Sequence, residues 1–148
     1  MTVQLNHTLV AARDRFASAR FLAEMFDLPE PYGYGPFACV DTDNGVSLDF
    51  MDVDDDPVHQ QHYAFLVTED EFDAVMDRLR ERGLAFFADP HQTRPGEINH
   101  GDGGRGVYFL DPCGHVLEAL TVPYGGWSEG AGPASRGVSG GVSGTGQT

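Results

Sequence analysis

Two stretches of the chain share one order of apolar and polar positions. Each opens on a strand-like apolar run, Leu5-Asn6-His7-Thr8-Leu9-Val10 in one and Gln61-His62-Tyr63-Ala64-Phe65-Leu66-Val67 in the other. A helical pattern follows in each, over about Arg13 to Phe26 and about Glu69 to Arg82, and then a leucine, Leu28 or Leu84. Phe16, Ala19, Leu22, Met25 and Phe26 recur at helical spacing in the first, as do Phe72, Val75, Met76 and Leu79 in the second. Thr68 and Glu71 form a capping box, and Gly83 suits the C-terminal stop. Each helix thus presents an apolar stripe that must cover a sheet.

Both halves then end in a hairpin. Pro36 to Val40 and Val46 to Met51 flank Asp41-Thr42-Asp43-Asn44-Gly45, whose Asn-Gly is a strong turn signal. Gly106 to Leu110 and Val116 to Val122 flank Asp111-Pro112-Cys113-Gly114, with Asp, Pro and Gly at the places a type I turn favours. The pattern predicts one structural unit used twice, over about residues 3–56 and 60–122, within one domain of residues 1–124. Asp89 to Arg105 is a long polar loop, expected to serve as a lid or binding loop. From Gly125 to Thr148 the residues are mostly Gly, Ser, Ala and Thr, which predicts a flexible tail.

A chain of 148 residues supports one core. Its net charge of −14 belongs to residues before the tail, where Glu129 cancels Arg136. That acidity disfavours nucleic acid and anionic membranes as partners. The run Asp52, Asp54, Asp55 and Asp56 reads as a solvated loop. The start lacks a basic-then-apolar leader and no apolar stretch approaches a membrane span, so a cytoplasmic protein is expected. Cys39 and Cys113 fit neither a disulfide scaffold nor paired metal spacing, and each is expected as a reduced thiol.

Three ionisable residues interrupt the apolar runs: His7, His62 and Glu118, the last in Val116-Leu117-Glu118-Ala119-Leu120. A carboxylate buried without a partner would cost on the order of tens of kcal/mol before it protonated. A metal ion is the simplest partner common to all three, and two imidazoles with one carboxylate make an open non-haem site. In the duplicated frame Asp49, in Ser47-Leu48-Asp49-Phe50, is the mate of Glu118, as His7 is of His62, which adds a fourth candidate ligand. Arg94, Glu97 and Asn99, in the long loop, are candidates for binding an anionic or hydroxylated small molecule. His115, just after a turn, is expected to be exposed.

The duplicated unit, with histidine on the first strand and an acid on the last, resembles the vicinal oxygen chelate superfamily, which includes glyoxalase I, bleomycin-resistance proteins and extradiol dioxygenases. The resemblance covers about Val3 to Tyr124. It implies an α+β fold of two βαβββ modules forming a curled eight-stranded mixed sheet around a metal cavity, with His7, Asp49, His62 and Glu118 at the family's metal positions. A narrower stretch is similar to the extradiol ring-cleavage signature: Ile98-Asn99-His100, then Val107-Tyr108, then Asp111-Pro112-Cys113-Gly114 and Glu118. By that likeness Glu118 binds iron, Tyr108 hydrogen-bonds substrate or oxygen, and His100 supports the site. Three alternatives stay open: an extradiol-type dioxygenase with one divalent ion, Fe2+ favoured over Ni2+, Zn2+ or Mn2+; a glyoxalase I-like lyase; and an antibiotic-sequestering binding protein. The modules could pair within one chain or across a homodimer.

Overall fold

A computed structural model describes residues 2–132; the remainder of the expected tail, residues 133–148, lies outside the described residues. The chain is α+β and follows the predicted duplication. The first module comprises β1 (His7–Ala12), α1 (Arg15–Phe26), β2 (Tyr32–Tyr34), β3 (Phe37–Asp41) and β4 (Ser47–Asp52). The second comprises β5 (His62–Leu66), α2 (Glu69–Glu81), β6 (Gly106–Leu110) and β7 (Val116–Leu120), with a 3-10 turn at Gly101–Gly103. Among the described residues, no helix is long and apolar enough to cross a membrane.

Local signals fix the ends of the helices. The Asp14 carboxylate accepts the backbone N–H groups of Phe16 and Ala17, both at 3.1 Å, so α1 starts at Arg15, two residues later than the periodicity predicts. The Thr68 hydroxyl accepts from the Glu71 N–H at 3.2 Å, and Gly83 takes a left-handed φ of 63° just past α2. Asp52 does more than solvate a loop: it accepts the Arg15 N–H at 2.8 Å and pairs with the Arg15 guanidinium, tying β4 to the start of α1.

The strands form two sheets rather than the single curled eight-stranded sheet expected from the family resemblance, in the orders β1-β4-β3-β2 and β5-β7-β6. The place of an eighth strand is taken by Phe87, which bridges Tyr108 and Pro95 without extending further. In each sheet the first strand lies at the edge and runs parallel to the last. Their registers correspond. Leu9 faces Asp49 and Ala64 faces Glu118, so each module sets its histidine, His7 or His62, two residues before the partner of its acid.

Alternation sets one face of each sheet into the core; in the second sheet the opposite face is covered too, with Tyr108 and Glu118 buried there and only the edge strand β5 open. Val10, Leu48, Phe50, Ala38 and Val40 in the first sheet, and Val107, Phe109, Leu117 and Ala119 in the second, join α1 and α2 in one core. Phe26 of α1 reaches the second module, with ring centroids 4.5 Å from Phe65 and 6.1 Å from Phe109. Arg78 of α2 donates to the Met25 carbonyl at 2.8 Å. The helices thus weld the modules through their backs, leaving the faces that carry His7, Asp49, His62 and Glu118 turned away from the core.

His115 is fully buried, contrary to the exposed position expected of it. It shares the parity of Leu117 and Ala119 and so points into the core, where its Nδ1 accepts the Gln61 N–H at 2.9 Å. The other ring nitrogen then carries the proton and donates to the Ala11 carbonyl at 2.8 Å, which joins β7 to the end of β1. Replacing His115 with leucine orphans both backbone groups. The expected loss is on the order of 2–4 kcal/mol in equilibrium urea unfolding; a loss under about 0.5 kcal/mol would show that neither bond holds the modules together.

Candidate metal centre

The second sheet supplies the more complete part of the site. His62, Glu118, Tyr108 and Phe87 lie on one face because Ala64, Glu118, Tyr108 and Phe87 are successive cross-strand partners and His62 is two residues from Ala64. The His62 Nε2 lies 2.9 Å from Glu118 Oε1. Glu118 is only 2% exposed, whereas the imidazole of His62 is 41% exposed. The imidazole stands edge-on to the Tyr108 ring, centroids 5.7 Å apart.

Tyr124 completes this group and was not singled out in the sequence. Its hydroxyl donates toward both oxygens of Glu118, at 2.6 Å to Oε1 and 2.8 Å to Oε2, and lies 3.3 Å from the Tyr108 hydroxyl. Since Tyr124 lies four residues beyond β7, no strand periodicity points to it; the only signal was an aromatic residue between Pro123 and two glycines. Desolvation raises the pKa of the Tyr108 phenol, and Glu118 adds to the rise against the opposing Tyr124 hydroxyl. Desolvation likewise raises that of Tyr124, reinforced by Glu118 and Tyr108. Both phenols therefore stay neutral donors at physiological pH.

In the first sheet His7 is exposed, and its Nδ1 lies 2.7 Å from the Asn6 side-chain oxygen. Asp49 accepts the Ser47 hydroxyl at 2.5 Å and stands opposite Cys39. Burial, then the neighbouring Asp49, pushes the Cys39 thiol up to about 11, so it remains protonated. Among the described residues, no three His, Cys, Asp or Glu side chains gather as a metal-holding group. The single chain instead presents two candidate half-sites at matching register positions: His62 and Glu118 touch, whereas His7 and Asp49 bond to Asn6 and Ser47.

The second half-site suits a small divalent ion. Two neighbouring ligands at right angles, each about 2.1 Å from an ion, lie about 3 Å apart, which matches the His62–Glu118 separation. A nearly buried carboxylate beside a half-exposed imidazole also leaves an open side toward solvent.

The long loop is held largely by its own bonds. The Asp89 carboxylate accepts from Thr93 N–H, Thr93 hydroxyl and Arg94 N–H at 2.7–3.1 Å. Asn99 has a structural role: its amide donates to the Ala88 carbonyl at 2.8 Å, and its oxygen accepts the Gly101 N–H at 3.1 Å. Gly106 is required beside it, because a Cβ there would come within 2.7 Å of the Asn99 side chain. Arg94 and Glu97 pair with each other at 3.4 Å, both about half exposed. His100 is exposed at the start of the 3-10 turn.

Comparison with known proteins matches this architecture. Two solved structures, Oxidase ChaP-H1 and Oxidase ChaP-H2, share 61% and 60% identity with the chain, at TM-scores of 0.82 and 0.83. They cover 84% and 85% of this chain and 100% and 98% of their own. Metallothiol transferase FosB of Shouchella clausii (strain KSM-K16) is 36% identical over 72 residues, 47% of this chain and 45% of FosB. Glutathione transferase FosA of Serratia marcescens is 35% identical over 57 residues, 38% of this chain and 33% of FosA. The chain thus spans less than half the length of these curated relatives. A family model matches residues 4–119, and the chain belongs to the Glyoxalase/Bleomycin resistance protein/Dioxygenase superfamily.

Proposed function

We propose that the chain is an oxygen-dependent oxidoreductase of a small molecule bearing vicinal oxygens, with one divalent ion, Fe2+ favoured, held by His7, His62 and Glu118. The observation that carries this reading is the 60–61% identity, over nearly the full length of the partners, to two chains named oxidases. The geometry is consistent with it. His62 and Glu118 offer adjacent nitrogen and oxygen donors on paired strands, and Tyr108 stands beside them on the same face, with His62 as its exposed edge. When bound, a ferrous ion would supply a redox centre with open positions for adjacent substrate oxygens. The chain's own residues do the rest. Tyr108, kept neutral, donates a hydrogen bond to an oxygen of the substrate, and the sheet fixes its distance from Glu118.

This reading needs His7 to join the pair, and a second copy supplies it most simply. A two-fold axis that sets the first sheet of one copy against the second sheet of the other brings the half-sites together twice, giving a homodimer with two centres. The exposed Val3, Leu5 and Leu9, in and just before the edge strand β1, are apolar surface such a contact would cover.

A second reading has one observation in its favour: the register of Asp49 matches that of Glu118, as a four-ligand, lyase-type centre would require. Metal analysis of protein purified without chelator, coupled to oxygen uptake, separates the two. Stoichiometric iron with oxygen consumption on adding catechols is the expected result. Nickel or zinc with isomerisation of thiol adducts and no oxygen uptake would replace the oxidoreductase reading with the lyase reading.

A further inference from the structure

Tyr124 combines two properties that rarely coincide. The residue is 69% exposed, yet its hydroxyl reaches a carboxylate that is 2% exposed. Little apolar burial holds the ring there. The position comes from the backbone: Thr121 is tied to Arg105 by two bonds at 2.9 and 3.0 Å, and the Gly125 N–H donates to the Asp102 carboxylate at 2.9 Å. Gly125 and Gly126, at φ 81° and 88°, turn the chain immediately after the tyrosine in a conformation other residues resist. The segment from Thr121 to Gly126 is thus a strap that aims one hydroxyl at Glu118.

The contact is to both carboxylate oxygens, at 2.6 and 2.8 Å, so the phenol oxygen lies in the fork between them. That fork is the place a cation occupies when a carboxylate binds through two oxygens. A carboxylate has about four lone-pair sites, and those outside the fork remain usable. Of these, the one on Oε1 faces His62 Nε2 at 2.9 Å.

We propose that Tyr124 is a positioning residue for Glu118: by filling the fork it confines the carboxylate to one-oxygen ligation through Oε1, beside His62. This deepens the proposed function and rests on its metal ligands. The strap selects small ions of strict geometry over larger ones that favour two-oxygen carboxylate binding, such as Ca2+.

The test uses the full chain freed of metal and titrated with Co2+ and, separately, Ca2+, in the wild type and in Tyr124→Phe. The variant takes a donor from a buried carboxylate that keeps His62 beside it, so its melting temperature should fall by several degrees with the fold retained, as its circular dichroism spectrum would check. Its Co2+ affinity should fall on the order of ten- to hundredfold, as for other groups that orient a ligand. The visible band of bound Co2+ should weaken as a second carboxylate oxygen enters, and the preference for Co2+ over Ca2+ should narrow. A Tyr124→Phe protein that binds Co2+ as tightly as wild type, with the same spectrum, overturns the role of Tyr124 and leaves the metal reading standing. Failure of the wild type to bind Co2+ stoichiometrically overturns both.

Discussion

His62→Ala and Glu118→Ala are each expected to abolish stoichiometric metal binding while leaving the fold in place. Each removes one of the two donors that the second sheet holds 2.9 Å apart. With one of the three proposed ligands gone, the two that remain leave the ion's charge poorly compensated, and binding at micromolar concentrations should be lost. The fold should survive: Glu118→Ala leaves His62 and Tyr124, 41% and 69% exposed and open to water, and His62→Ala leaves the buried Glu118 still bonded to the Tyr124 hydroxyl. His7→Ala should lose metal in the same way, with a stability change within about 0.5 kcal/mol, since that exposed ring meets only its neighbour Asn6. Binding should weaken in the wild type as pH falls through the range in which imidazoles protonate, because the ligand form is neutral. Elemental analysis beside a thermal melt checks all three variants. Full metal content with unchanged affinity in His62→Ala or Glu118→Ala would mean that the centre lies elsewhere.

Much of this arrangement was legible because it is local or repeated. Capping by Thr68, the left-handed Gly83 and the Asn44-Gly45 turn act over a few residues, and the second helix and the first hairpin follow from them. The duplication carried further, since a histidine on the first strand and an acid on the last could be matched between halves before any register was known. The structure gives both pairs the same two-residue offset. Three things were hidden for separate reasons. A place just after a turn suggests solvent for His115, whereas its parity with Leu117 and Ala119 sets it on the core face. Asn99 looked like a spare ligand for substrate, but a loop that doubles back on Ala88 and Gly106 uses both ends of its amide. Tyr124 reaches Glu118 only because the strap returns over the open face after β7, a long-range event that short-range patterning does not encode.

Asp49→Asn and Tyr108→Phe should have opposite consequences, and their order decides how many ligands the centre has. Asp49 occupies the position of Glu118 in the first module, but its side chain is one methylene shorter, and its carboxylate already accepts the Ser47 hydroxyl at 2.5 Å. Asparagine keeps the shape and an acceptor for that hydroxyl, so Asp49→Asn should retain most of the bound metal and melt close to wild type. Tyr108→Phe should also retain metal and fold, because its hydroxyl is not a proposed ligand and Glu118 keeps the shorter bonds from Tyr124. Turnover should nevertheless fall roughly a hundredfold, the scale seen when one preorganised donor is removed from a reacting oxygen. A four-ligand centre predicts the reverse. There Asp49→Asn would replace a charged ligand with a neutral one and weaken metal binding at least ten- to hundredfold, while Tyr108→Phe would leave turnover nearly intact. The three-ligand order is expected, since the shorter acid stands engaged with Ser47 while Glu118 is braced by Tyr124 and set beside His62. Strong metal loss in Asp49→Asn together with normal turnover in Tyr108→Phe would move the protein from oxygen chemistry to the lyase-type centre.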